Sequence, residues 1–375
     1  PPRCARRAGL DRYRVTRRLP LLTGGEIDMH SNHPSGLWHL RLGPLNLLLH
    51  RRTWLLSLLV LGVLLALVVM AISLGSGRMG VTDVLATLGG QGSKLNDIMV
   101  FKIRMPRIAA VVVAGLAMGM AGCLIQTLVR NRLATPDMIG VNEGASLAVI
   151  GFALYLTVGS WPWWASPLGA ALAAVALFVL CRRPGEQGYL FIVIGIALSE
   201  LLGAVGDFMM ATQPLVHLGS IYLWTMGHFA GASYSTVAPI ALILLALCPL
   251  LAWLNRPLAL LRFGEATAQN LGVKVAVLQL AVLGVAILVA ALGTAIGGPV
   301  VFIAMAAPII ASWLSRDHLA PIWLAALCGA VLLVGSDTLS RLLAQPEEIP
   351  TGITTRLLGG VLLLILLLKD RKGSD

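Results

Sequence analysis

Five stretches of this chain run for twenty-two residues or more without a charged side chain: Thr53–Leu74, Ile108–Val129, Gly144–Cys181, Phe208–Asn255 and Val275–Ser315. A helix needs about 20 apolar residues to cross the hydrocarbon of a bilayer. The first two runs therefore hold one crossing each, and the three longest hold more than one. The rest of the chain agrees. It is 57% hydrophobic and 12% charged, with a mean hydropathy of +0.85, where a soluble domain carries about 25% charged residues. The expectation is an all-α membrane protein with many crossings.

Ten helices are expected, near 53–74, 106–129, 138–158, 162–181, 189–211, 234–254, 275–296, 300–315, 319–341 and 352–369. Between the third and fourth lies Gly159-Ser-Trp-Pro-Trp-Trp164, whose tryptophans suit a membrane–water interface. With the N-terminus inside, fourteen Lys and Arg beyond residue 28 fall on the inner side and seven on the outer side. That asymmetry puts both termini in the cytoplasm. The net charge of +11 is then explained by cytoplasmic loops rather than by nucleic acid. Residues 1–50 read as a basic extension and 51–372 as a single polytopic membrane domain. Residues 1–28 hold seven arginines and no apolar core, so they are not a secretory signal; the first methionine is Met29, and 1–28 are expected to be disordered. The five cysteines, Cys4, Cys123, Cys181, Cys248 and Cys328, lack metal-ligand spacing and read mostly as small core residues.

Three features bear on packing and chemistry. Gly115, Gly119 and Gly122 form a small-residue ridge on the second helix that lets another helix approach closely. Gly293 to Pro299 breaks the seventh helix from the eighth near the outer side, permitting a short turn or half-helix. Charges inside crossings are costly and usually functional. Glu200 and Asp207 are seven apart on one face of the fifth helix: they line a proton or cation path, bond to neighbouring helices, or face a wet cavity. Asp337 and Arg341 are four apart and can pair along the ninth. His217 and His228 flank a segment expected to be a short outer helix at an entrance, with no metal site. No catalytic constellation stands out and no lysine follows a glycine, so there is no phosphate-binding loop; if ATP drives this protein, another chain binds it.

Asn255 to Val273, between the sixth and seventh helices, has helical composition. Pro257 suits a first turn, Gly264 divides two short helices and Gly272 suits a stop. Leu258, Leu261 and Leu271 supply apolar knobs. The reading is a pair of short cytoplasmic helices that dock a partner, or a segment lying on lipid.

Taken in order, Ile103-Arg-Met-Pro-Arg107, Gly122-Cys-Leu-Ile-Gln126, the polar stretch Leu128–Leu147, Leu223-Trp-Thr-Met-Gly227, Phe263–Gly272, Gly298-Pro-Val-Val-Phe302 and Glu348-Ile-Pro-Thr-Gly352 resemble the permeases of ABC importers for iron–siderophores, haem and vitamin B12. The resemblance runs from the first helix to the C-terminus. It implies an inner-membrane subunit without catalytic residue, metal or cofactor, ATP and Mg being held by a dimeric ATPase partner. It further implies a periplasmic or lipoprotein binding protein outside, a second permease subunit, identical or not, and ferric siderophore as cargo, with haem or cobalamin as alternatives. A proton-coupled secondary transporter is the rival class.

The resemblance also assigns roles. Leu258, Leu261, Gly264, Glu265, Gln269 and Gly272 are implied to couple to the ATPase. Arg104, Arg107 and Arg341 are implied to dock the binding protein from an exposed outer rim. Glu186, Gln187, Gly188 and Tyr189 are implied to form a cytoplasmic gate. Asn131, Leu133, Ala134, Pro136, Gly140, Gly144 and Ala145 match a family motif expected to hold pore helices at the cytoplasmic side without touching substrate. There Asn131 and Asp137 would cap helix ends, and Gly140 and Gly144 would allow close packing. The chain departs from the family at Arg132, Ile309, Val361 and Arg356.

Overall fold

The computed structural model of this protein describes residues 37–42, 45–74, 80–156, 161–181, 188–261, 263–315, 321–343 and 348–371. All ten expected helices are present: α1 (Arg51–Ser73), α2 (Met105–Val129), α3 (Val141–Gly151), α4 (Ala165–Leu180), α5 (Gly188–Ala211), α6 (Tyr234–Leu261), α7 (Val275–Gly297), α8 (Ile303–Ser315), α9 (Ile322–Leu343) and α10 (Thr351–Arg371). Among the described residues six stretches are long and apolar enough to cross a membrane: Arg52–Ser73, Lys94–Val129, Val193–Ala211, Tyr234–Asn255, Val275–Gly297 and Ile322–Leu343. Four further apolar stretches are shorter: Val141–Leu156, Ala165–Leu180, Ile303–Ser315 and Thr351–Ile365.

The clearest case is α8, of 13 residues; α3 is also short, 16 residues with its π-helical continuation Phe152–Leu156. At about 1.5 Å per residue, α8 covers about two-thirds and α3 about four-fifths of a hydrocarbon layer about 30 Å thick. Their neighbours show where they begin. Gly140, just before α3, lies against Ser199 and Leu202, halfway along α5, and Ile150 near the end of α3 lies by Gly206. Ala304, at the start of α8, lies against Gly122, past the middle of α2, and the Gln126 side chain donates to the Met305 carbonyl at 3.0 Å. Both helices therefore start at mid-depth, α3 following the second half of α5 and α8 the second half of α2. The break at 298–302 is deeper than the outer side where the sequence suggested it, because Gly293 already packs on Ala117 and Met118 in the middle of α2. Paired half-helices at mid-depth are typical of transporters built from inverted repeats, although no repeat is evident in the sequence.

The glycine ridge is used as expected. A Cβ on Gly115 or Gly119 would overlap the backbone of α9 at Gly329–Ala330 or Ala325, and one on Gly122 would overlap Ala304 of α8. The α2, α7 and α9 helices consequently form the core, with Ala114, Ala117, Ala121, Ala290, Ala325 and Ala330 almost fully buried. The buried side chains are small because hydrocarbon gives no hydrophobic drive between helices, so close packing must supply it.

Short elements complete the fold. Val81–Leu88 and Lys94–Asp97 precede a π-turn, Ile98–Arg104, that leads into α2. The short outer helix expected between the two histidines is Leu215–Thr225. Ahead of α1 an antiparallel hairpin, β1 (Leu37–Leu42) and β2 (Leu45–His50), pairs Leu37 with His50. This is an addition to the all-α expectation. Residues 1–28 lie outside the described residues.

Candidate functional site

The polar stretch 128–147 is where the structure departs furthest from expectation. The chain leaves α2 through Arg130, which adopts a left-handed backbone (φ 57°). The Asn131 side chain accepts from the Leu133 N–H at 2.9 Å, so it satisfies the loop rather than a helix end. The chain then climbs to mid-depth through a single turn, Pro136–Ile139. Gly140 has φ 78°, and its need is this left-handed turn more than packing. Gly144 does serve packing, since a Cβ there would press on Ala173 and the Gly169 carbonyl of α4. The second half of the stretch therefore lies beside the middle of α5 rather than at the end of α2.

It lines a cavity of about 560 Å³ between α3, α5, the helix Leu215–Thr225 and the start of α10. Asp137, Asn142 and Glu143 contribute from the stretch, Glu200 and Asp207 from α5, and Arg356 from α10. The face shared by Glu200 and Asp207 is thus an open polar cavity, one of the alternatives the sequence left. Asn142 organises its floor: its Nδ2 donates to Asp137 Oδ1, and its Oδ1 accepts from Thr294 Oγ1 of α7 at 3.0 Å. Glu143 is the residue that sequence reasoning missed. Its signal was present, as a carboxylate in an apolar segment, but it was grouped with a turn. Near the cavity, Trp161 meets Trp224 edge to face at 5.9 Å, and the pair packs with Val149 and Phe152 of the α3 segment.

The three arginines expected on an exposed rim are buried, with exposures of 6% for Arg104 and 8% for Arg107 and Arg341. Arg107 donates to Asp337 Oδ1 from Nε (3.2 Å) and Nη2 (2.9 Å), and to Glu348 Oε2 from Nη1 (2.6 Å). Arg341 pairs with Asp337 Oδ2 at 3.2 Å, four residues back as the spacing predicted, and donates to the carbonyls of Ala71 and Leu74. Arg104 donates to the carbonyls of Ile72 and Ser73. Thr351 Oγ1 adds a bond to Asp337 at 2.9 Å. Together they fasten the outer ends of α1, α2, α9 and α10. The reason is electrostatic: α1 ends with carbonyls that have no intrahelical donor, and guanidinium groups satisfy several at once. His228 is close by; burial, and then Arg107, hold its imidazole below the ordinary range, so it is neutral at pH 7 and adds no further cation.

At the other end of the bundle the expected pair of short helices is a single one. Pro257 opens nothing, because α6 runs unbroken from Tyr234 to Leu261; its Leu258 and Leu261 are buried in the core, not free knobs. Gly264, with φ 107°, starts the helix Glu265–Asn270, and Gly272, with φ 84°, follows it. Glu265 lies 3.5 Å from Arg130 at the end of α2 and accepts from Gln279 Nε2 at 3.1 Å. Gln269 is exposed, and the exposed apolar side chains here are Phe263 and Leu271. Of the gate candidates, Glu186 and Gln187 lie outside the described residues; Gly188 and Tyr189 open α5, and their side chains are outside the description. Among the described residues no group of His, Cys, Asp or Glu is arranged to hold a metal ion.

Comparison with known proteins follows the same outline. The model of the FecCD transport family matches residues 63–369. The chain is 30% identical to the ferric enterobactin transport system permease of Escherichia coli (strain K12), over 86% of this chain and 98% of that one. It is 33% identical to the hemin transport system permease of Yersinia pestis, over 84% and 96%. A metal-chelate-type ABC transporter solved in an inward-facing conformation has the same fold, with a TM-score of 0.73 at 24% identity over 84% of this chain and 99% of that one.

Proposed function

This chain belongs to the FecCD transport family, the permeases of bacterial ABC importers for iron–siderophores, haem and vitamin B12, and from that premise we propose that it carries a ferric siderophore into the cytoplasm. As a member of that family it is a multi-pass membrane permease of a metal-chelate importer. It is neither an ATPase nor a holder of a cofactor, and it works with an ATPase and a binding protein. That membership sets aside the proton-coupled alternative.

One observation carries the transport path. Glu200, Asp207 and Arg356 are exposed on a single chain, on helices otherwise apolar. Charges at that depth do not face lipid, so a second permease subunit covers this side and the two chains enclose the path. With both termini inside, as the charge asymmetry supports, Phe263, Glu265, Gln269 and Leu271 form the surface that the ATPase moves. Gly264 and Gly272 bound it, and Leu258 and Leu261 transmit its motion from the core. The binding protein meets the outer helices Val81–Leu88 and Lys94–Asp97, where Lys94 and Lys102 are exposed. Arg104, Arg107 and Arg341 hold that end together from beneath. ATP binding and hydrolysis then rock the helices and switch access across the membrane.

The test is uptake into proteoliposomes that contain this permease, its ATPase and its binding protein. Labelled ferric siderophores, haem and cobalamin are offered with ATP or a non-hydrolysable analogue inside. A ferric siderophore should accumulate with ATP alone. Accumulation of haem or cobalamin while every siderophore stays outside would refute the proposal.

A further inference from the structure

The cavity is unevenly charged. Asp137, Glu143, Glu200 and Asp207 line it, against one cation, Arg356. Asp137 is held by Asn142; the other four charged groups make no ion pair among the described residues. A second and independent feature lies on the same wall. Ser146 is 7% exposed and lines the cavity, yet it has no hydrogen-bond partner among the described residues. Helical serines ordinarily turn back to a carbonyl four residues earlier, as Ser57, Ser73, Ser199 and Ser336 do here. Ser146 keeps its hydroxyl for whatever occupies the cavity. The volume of about 560 Å³ is within the range of clefts that hold small molecules, about 300–1,000 Å³.

We infer that this permease passes ferric chelates of neutral or positive net charge, the ferric trihydroxamates being the chemical class, and that Glu143, Glu200 and Asp207 disfavour anionic chelates. The inference rests on the importer reading above. Three hydroxamates bring three negative charges and leave ferric iron neutral, and a free amine on such a chelate makes it a cation. Three catecholates bring six and leave a trianion. A water-filled cleft with low-dielectric walls focuses the field of its charges. A wall with three carboxylates unpaired among the described residues, Glu143, Glu200 and Asp207, and one guanidinium therefore concentrates cations and repels a trianion, and a second like chain across the path would double the effect. The Ser146 hydroxyl and the carboxylates are also suited to the amide and amine N–H groups at the rim of such a chelate.

The experiment uses the complete importer in proteoliposomes and three labelled probes: a singly cationic ferric trihydroxamate with a free amine, its neutral acetylated counterpart, and a ferric tricatecholate. The readout is the cationic-to-neutral uptake ratio, compared between variants with the same binding protein so that the binding protein's own choice cancels. Combined Glu143→Gln, Glu200→Gln and Asp207→Asn should lower the ratio about tenfold, the low end of field focusing by a charged cleft, while Arg356→Gln raises it. Single E200Q and D207N, at exposed positions that leave the fold intact, should each move it in the same direction by a smaller factor. A ratio unchanged in the single variants, or one raised by the combined substitutions, would overturn the inference while leaving the importer intact. Failure of every chelate to accumulate with ATP would instead overturn the importer reading, and this inference with it.

Discussion

Asp337 is the carboxylate on which two buried arginines converge, and its side chain is 2% exposed. Removing one partner of a buried, hydrogen-bonded pair leaves an uncompensated charge, at a cost of about 3–5 kcal/mol. Asp337→Ala should therefore lower the thermal midpoint in detergent sharply or abolish the folded permease. Glu348, whose side chain is 36% exposed, sits at the edge of the same cluster. Water can replace it at Arg107, and Glu348→Gln should cost under about 1 kcal/mol. Equal losses from the two substitutions would show that the cluster is not held through Asp337. Half of this arrangement was legible in the sequence, since Asp337 and Arg341 are one helical turn apart. The other half was not, because Arg107 lies 230 residues away from Asp337 and the carbonyls of α1 carry no sequence signature. An arginine near a helix end reads as a surface group until the carbonyls it serves are known.

Among the elements, periodicity and glycine spacing reached further than depth did. The ridge on α2 was read from its spacing, and its test is steric. Gly119→Ala puts a methyl against the Ala325 carbonyl, backbone that cannot give way, and overpacking of this kind costs about 1–3 kcal/mol. Gly284→Ala on α7 meets nothing within 4 Å and should leave the thermal midpoint unchanged or slightly raised; a matching loss at both sites would remove the ridge argument. The mid-depth start of α3 was not legible, because an apolar run of 16 residues, Val141–Leu156, resembles a short crossing whichever depth it starts from. Only its neighbours on α5 and α7 fix its start. At the end proposed to meet the ATPase the sequence singled out leucines, and packing then decided among them. Phe263→Glu and Leu271→Glu should keep the permease folded and abolish stimulation of ATP hydrolysis by the loaded binding protein. Leu258→Glu, inside the core, should lose the folded protein itself, seen as failure to elute as a single species in detergent. Normal stimulation in the Phe263 and Leu271 variants would move the coupling surface elsewhere.

The molecule as a whole is lopsided. The crossings in α2, α7 and α9 have 78%, 61% and 67% of their residues buried, whereas the crossing in α5 has 17%. Its outer face runs through Val193, Ile196, Ala197, Glu200, Leu201, Ala204 and Phe208, all exposed. The spacing of three and four residues makes this one continuous stripe. An apolar stripe alone would suit lipid, but Glu200 within it and Asp207 beside it would not. The α6 helix offers the contrast, because its exposed Leu242, Leu245 and Trp253 have no charge among them and suit lipid directly. The two faces make opposite predictions for a cross-linking experiment in native membranes, with the five native cysteines replaced. A single cysteine at Ala204 should join two permease chains through a short bifunctional thiol reagent, and a single cysteine at Leu245 should not. A product of twice the mass of this chain would identify a homodimer, and one of another mass a paired but different permease. Linkage at Leu245 without linkage at Ala204 would put the second subunit on the other side. The cavity of α3, α5 and α10 would then open toward lipid, and the transport path would have to be sought elsewhere in the bundle.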